Sequence, residues 1–343
     1  MRLPVYLALA GLLLGLAGPT AAAPVRGLYE ASIPVRNQDA DARELALQQA
    51  FEQVLVRVVG SRDLPPPALG LVPRASGFVQ GYGYETVGAG RELRLRAQFD
   101  ARAIEAALRS QGLSVWGVNR PAHVAWIAIS EGQQHSVLDA ASADTRAPAV
   151  MATAEARGLP LTLPVLDASE RKRVTFNELW SGQYAGAEAA SNRYNARLIV
   201  IGRVGREGGE WIGRWTLLTG NGASEDWLSN GPTLDTAIAA GIHDLTDRQA
   251  QRFAVQTGSA RELQLRVAGV ESLNDYGRAL NYLRGLGPVR SAQVQTVEPG
   301  TLTLRLRVEG DPETLTRVIA AGRVLRAREG GVNRVELSYD LVH

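Results

Sequence analysis

The side chains of this 343-residue chain that are equipped for chemistry are few and scattered. Four histidines, His123, His135, His243 and His343, fall on a predicted strand, loop, helix and terminus. No two stand at metal-ligand spacing, so isolated structural or solvated imidazoles explain them better than metal ligands or general bases. Ser130-Glu131-Gly132 and Ser181-Gly182 follow apolar or aromatic residues, but neither has glycine on both sides of the serine, as a nucleophile elbow requires. Asp167, Glu170 and Glu178 lie within one stretch, and a pair of carboxylates is the machinery of glycoside hydrolysis. Arg171, Lys172 and Arg173 intervene, however, and a solvated charged loop accounts for the segment more simply. Gly202 to Gly209 lacks a phosphate-binding lysine and leads from strand to strand, leaving no helix N-terminus for an anion. With no cysteine, thiolate metal sites and disulfides are excluded by chemistry.

The expectation is a protein that is not an enzyme and uses no cofactor and no metal. The six tryptophans offer another role. Trp126, Trp211, Trp215 and Trp227 stand on predicted strands, where burial is the default, while Trp180 closes the segment NELW. Packed inward these rings are scaffold; turned outward, Trp180, Trp211, Trp215 and Trp227 make a candidate partner-binding surface.

The elements that must position these residues begin after an export signal. Met1-Arg2 is a positive start, Val5 to Ala17 a short apolar run, and Gly18-Pro19 breaks it before Thr20-Ala21-Ala22-Ala23. This is the pattern of a cleavable secretory signal peptide over residues 1–22, with cleavage expected after Ala22 and Ala23 as the alternative. An uncleaved anchor is the competing reading, but spanning needs ~20 apolar residues and no later run approaches that. The protein is expected in the periplasm, with no membrane span once the signal is gone. A net charge of only +2, with arginines alternating with acids, argues against a nucleic-acid partner.

The periodicities divide the mature chain into three units, an α+β and α/β organisation. Residues 24–116 read as βαββα: a strand at Tyr29–Ile33, a helix from Ala42 with Leu45, Ala46, Ala50, Val54, Leu55 and Val58 on one stripe, and an end at Gly60. Pro65-Pro66-Pro67 marks a surface loop, Phe78–Val87 and Glu92–Phe99 two strands, and Ala101–Gln111 a second helix, with Leu113–Trp116 as a closing strand. Residues 121–255 read as a mixed-sheet α/β unit, in which Ser130 to Arg146 is a polar loop. Within it, Leu198–Ile201 is a strand ended by Gly202 and the following glycines, a hairpin carries Trp211 to Leu217, a third strand holds Trp227, and Thr233 caps a long helix to Val255. Residues 260–343 repeat the first order with a closing strand at Arg334–Leu341, so two ferredoxin-like units flank the central one.

Taken together, YEASIPV, ALQQAFEQVLVRVVGSRD, EARGLPLTLPVLD, RYNARLIVIGRV, WIGRWTL and TAIAAGIHDLTDRQAQRFAV resemble the domain-of-unknown-function 2066 family of proteobacterial envelope proteins, over roughly Leu28 to Val255. That resemblance brings no assigned activity and no catalytic residues. The central strand, hairpin and helix are more loosely similar to periplasmic TolB amino-terminal-like domains and to outer-membrane lipoprotein activators of peptidoglycan synthases. From the latter the chain departs by lacking a lipid-bearing cysteine. The function expected is a non-catalytic periplasmic accessory protein that binds another envelope protein; a cell-wall hydrolase using Asp167, Glu170 or Glu178 and a protein binding a small ligand between the central and flanking units are the alternatives.

Overall fold

The computed structural model describes residues 25, 27–88, 92–140, 146–196, 198–219, 223–254, 261–310, 312–332 and 336–342. The signal segment with Ala22, the turn at 220–222 and His343 lie outside them. Three sheets organise the chain, each with helices packed on it.

The first unit contains β1 (Glu30–Pro34), α1 (Ala40–Val59), α2 (Pro66–Leu69), β2 (Val79–Val87), β3 (Glu92–Phe99) and α3 (Ala101–Ser110). Its sheet runs β1-β3-β2, with both neighbours antiparallel to β3. The inward stripe of α1 is Ala46, Leu47, Ala50, Phe51, Val54, Leu55 and Val58. Leu45, expected inward, points to solvent at 57% exposure, because the 3.6-residue period that places Phe51 between Phe78 and Phe99 puts position 45 outside it. The proline run starts a short helix where a surface loop is expected. Pro66 and Pro67 open α2, where a missing N–H costs nothing. Nor does Leu113–Trp116 add a strand to this sheet; Trp116 N–H donates to the Val58 carbonyl (2.7 Å) beneath the end of α1.

The central unit comprises β4 (His123–Glu131), β5 (Gln134–Val137), α4 (Arg146–Ala156), β6 (Leu161–Thr162), α5 (Ala168–Arg173), α6 (Phe176–Ser181), α7 (Ala185–Ser191), β7 (Leu198–Glu207), β8 (Glu210–Thr219), β9 (Ser224–Gly231) and α8 (Leu234–Phe253). The sheet order is β5-β4-β7-β8-β9, with β6 also on β4; β4 and β7 are parallel, and β7, β8 and β9 form an antiparallel meander. Three sequence expectations are corrected. The expected polar loop after Ser130 folds back as β5 against β4. The charged stretch after Asp167 forms α5 and α6, held by side-chain caps at Asp167 and Thr175. Gly202 and Gly205 do not end β7 but lie inside it, because large rings pack where their side chains would be.

That requirement centres on Trp215. A Cβ at Gly202, Gly213 or Gly241 would come within 2.6, 2.6 and 2.1 Å of its indole. The ring is 1% exposed, donates from Nε1 to Ser229 Oγ (2.8 Å), and Ser229 donates to the Ala237 carbonyl of α8 (2.7 Å). Trp215 thus fixes α8 to the sheet through both packing and a hydrogen-bond relay. Thr233 caps α8 as its position suggests.

The last unit has β10 (Arg261–Val270), α9 (Leu273–Arg284), β11 (Val289–Glu298), β12 (Gly300–Val308), α10 (Pro312–Ala321), β13 (Leu325–Val332) and β14 (Glu336–Leu341). Its first three strands repeat the pairing of the first unit, with β12 between β10 and β11 and antiparallel to both. The expected single closing strand is instead a hairpin. β14 pairs parallel with β10, and β13 lies outside it, giving the order β11-β12-β10-β14-β13.

The first and central units meet at a buried guanidinium. Arg120, 1% exposed, donates to five main-chain carbonyls, those of Arg57 (2.7 Å), Trp116 (2.8 Å), Gly117 (3.0 Å), Arg157 (3.1 Å) and Gly158 (2.8 Å), with its plane 3.8 Å over Trp116. Burial pulls its pKa down to about 9. Arg157 reaches back to the Gly60 carbonyl (2.9 Å) and to Asp247 (2.5 Å), and Arg57 donates to the Ala156 carbonyl (3.1 Å).

Candidate functional site

Among the described residues, the outer face of the central sheet is only half covered. Helices α5 to α7 pack on β4 and β7 around Val124, Trp126, Ala128, Leu179, Ala187 and Ile201. Beyond them, β8 and β9 present Arg214, Asp226, Leu228 and Asn230 to solvent, with Leu228 67% exposed. A groove of about 650 Å³ runs along this border between Tyr184, Arg203, Leu218 and Leu228. Arg203 lies opposite Arg214 in the register; Arg214 pairs with Glu207, while the Arg203 Nε is buried with no partner among the described residues.

At one end of this face stands a ladder of three rings. Phe176 and Trp180 sit one turn apart on α6, so their side chains stack, with centroids 5.0 Å apart. His135 at the tip of the β4–β5 hairpin lies flat on Phe176, 4.4 Å away and tilted by 6°. Gly205 gives Trp180 room, since a Cβ there would be 3.0 Å from its ring, and the Trp180 carbonyl accepts from Arg203 (3.4 Å). Trp180 remains 37% exposed and His135 is exposed, so the ladder offers aromatic area to solvent on a rigid base.

Of the four tryptophans considered as one surface, only Trp180 belongs to it. Trp215 and Trp227 are 1% and 6% exposed; they are cross-strand partners, stacked at 6.1 Å beneath α8, because that face of the sheet is covered along its length. Trp211 is half-buried against the same core, on the side away from the ladder.

The three acids come partly together but are spent on the backbone. Asp167 accepts from the amides of Ser169 and Glu170 (both 3.0 Å) at the start of α5, and its ion pair with Arg193 (2.6 Å) holds the carboxyl well below the usual range. Glu170, 1% exposed, accepts from Leu166 N–H (2.7 Å), Tyr194 Oη (2.6 Å) and Arg193 (3.1 Å). It thereby holds the left-handed turn at Leu166, φ 51°, and burial together with Glu170 pushes the Tyr194 hydroxyl up to about 12. Glu178 is the reciprocal half of the Thr175 capping box. The solvated-loop reading of these residues is therefore corrected: Asp167 and Glu178 cap helices, and Glu170 holds a buried turn.

The histidines remain apart. His123 is fully buried, its Nδ1 3.3 Å from the Pro160 carbonyl, and burial lowers its pKa to about 4. His243 lies half-buried beside Arg157 (3.2 Å), and burial with the nearby Arg157 and Arg62 charges lowers it to about 4. Ser181 donates to the Glu178 carbonyl (3.3 Å). Among the described residues no group of three or more His, Asp or Glu side chains is placed to hold a metal, and no helix is long and apolar enough to cross a membrane.

Comparison with known proteins reaches one part of the chain. Residues 22–117 match the family described as Domain of unknown function (DUF8605). The DUF8605 segment coincides with the first sheet unit and stops at Gly117, immediately before the Arg120 junction, so the aromatic ladder lies outside it. No curated protein and no solved structure matches the chain.

Proposed function

We propose that the protein is an exported, non-catalytic accessory protein that binds another protein of the cell envelope through the outer face of its central sheet. The observation that carries this reading is the half-covered face bordered by His135, Phe176 and Trp180. Aromatic area on rigid elements beside Leu228 is the composition of an interface core, and Arg203, Arg214, Asp226 and Asn230 supply its polar surroundings. The carboxylates that a hydrolase would use are engaged in capping two helices and one strained turn. The signal-like start supports a periplasmic location, and the motif set supports kinship with the domain-of-unknown-function 2066 family and a looser likeness to TolB amino-terminal-like domains.

The test is site-specific photo-crosslinking in living cells after fractionation. A photoreactive side chain at Leu228 or Asn230 should trap a defined envelope protein from the periplasmic fraction, and Trp180→Ala should abolish the adduct. The same group at Leu45, on the far outer side of α1, should trap nothing. Recovery of the protein alone from every position, or retention in the cytoplasm, would overturn the proposal.

A further inference from the structure

The border between the central and last units holds a cavity that the docking face does not explain. It has a volume of about 480 Å³, within the ~300–1,000 Å³ range of small-molecule sites. One wall is apolar, made by Phe253 at the end of α8, Leu286, and Val318, Ala321 and Val324 from α10 and the segment after it. The other is a single face of α9, where Asn274, Gly277, Arg278 and Asn281 follow one another at helical spacing, and Asn119 joins them from the linker. Gly277 opens the space: a Cβ placed there meets nothing within 4 Å.

The polar wall is unspent. The side-chain amides of Asn119, Asn274 and Asn281 make no hydrogen bond to protein among the described residues; Asn274 and Asn281 are exposed and Asn119 is half-buried, so they line the mouth of the cavity. Arg278 donates to the Val342 carbonyl but leaves its Nε buried without a partner. The lining carries two cations, Arg120 and Arg278, and no carboxylate. Arg120 is saturated by main-chain oxygens, yet its charge is uncompensated by any acid within hydrogen-bond reach. An apolar chamber with amide donors and net positive charge on one side selects a ligand with an apolar body and a negatively charged, oxygen-bearing head.

From this we infer that the cavity between α8, α9 and α10 binds a small amphipathic anion of the acyl-chain type, its tail against Phe253 and Val318 and its head toward Asn281 and Arg278. This site is independent of the docking face and stands or falls separately from it. A free carboxylate and the phosphodiester of a single-chain lipid present the same chemistry, and the two sources are separable by experiment.

The probes are sodium decanoate, lysophosphatidylglycerol and decyltrimethylammonium, each titrated calorimetrically into the full-length mature chain below its micelle concentration. One molecule of decanoate or of lysophosphatidylglycerol should bind per chain, the tighter one identifying the source, and the cationic amphiphile of equal tail length should bind at least tenfold more weakly. Gly277→Leu fills the chamber and raises helix propensity, so it should keep the fold and weaken the anionic probes at least tenfold. Arg278→Gln should erase the preference for anion over cation. The inference is wrong if neither anionic probe binds the wild type, if Gly277→Leu binds them unchanged, or if the cationic probe binds equally well. A circular-dichroism melt of each variant confirms that the fold is intact, and crosslinking from Leu228 should be indifferent to Gly277→Leu.

Discussion

At the scale of single residues, the informative side chains are those whose partners are backbone atoms. His123 is neutral in the fold, with a pKa of about 4 against roughly 6.5 when unfolded, because burial penalises its charged form. The unfolded chain therefore takes up a proton that the native state refuses. Stability should be fully present above about pH 6.5, decline as pH falls toward 4, and level off below, with a loss on the order of 3 kcal/mol from this residue. His243 shifts in the same direction and adds to the slope. Urea titrations at pH 7.5, 6.0 and 5.0 measure it, and His123→Asn, whose amide nitrogen stands where Nδ1 donates to Pro160, should flatten the dependence. The histidine spacing argued against metal ligation by pairs in sequence, but burial of His123 on an otherwise apolar strand carries no pattern of its own. Arg120 was illegible for a related reason: five carbonyl acceptors leave no residue-type signature, so nothing in the sequence distinguishes it from a surface arginine. Asp167, Glu170 and Glu178 were visible as a cluster, yet their capping role required knowing that α5 and α6 exist.

Among elements, α8 and the meander were the most legible, because a capping threonine, a 3.6-residue period and an alternating strand agree with one another there. What periodicity could not show is that Trp215 dictates the glycines around it. Gly→Ala inside a helix ordinarily stabilises by up to about 1 kcal/mol. At Gly241 the sign should reverse, because the new Cβ would sit 2.1 Å from the Trp215 ring. The expected cost is about 1–3 kcal/mol of overpacking strain, read as a lowered urea midpoint with unchanged m-value. Gly277→Ala on α9, where the space is open, serves as the control and should not destabilise. The six-residue helices α5 and α6 escaped the period because six residues scarcely repeat it. β13 escaped because the glycine pair at Gly330-Gly331 reads as a break.

For the whole molecule, a mixed α/β fold was foreseeable from the order of strands and helices, and the contacts that join its three sheets were not. Arg120, Arg157 and Arg57 all cross between the first and central sheets, so those two units should unfold as one cooperative block. Arg120→Met removes the shared donor and strands several buried carbonyls, at a cost of at least about 3 kcal/mol. Differential scanning calorimetry should then resolve separate transitions for the first and central units; a single transition merely displaced to lower temperature would count against this coupling. The last unit is tied on more lightly, through α10 against α8 and the Arg109–Glu309 pair at 3.5 Å. Its own sheet has an internal order of events written into it. β14 lies in the interior, pairing Gln264–Ala268 of β10 with Glu336–Asp340, although those residues are the last of the unit to be made. A chain that emerges amino end first presents β10, α9, β11, β12 and α10 while one side of β10 is still bare, a template for any stray strand. Insertion of β14 is thus the closing act that covers the bare side of β10.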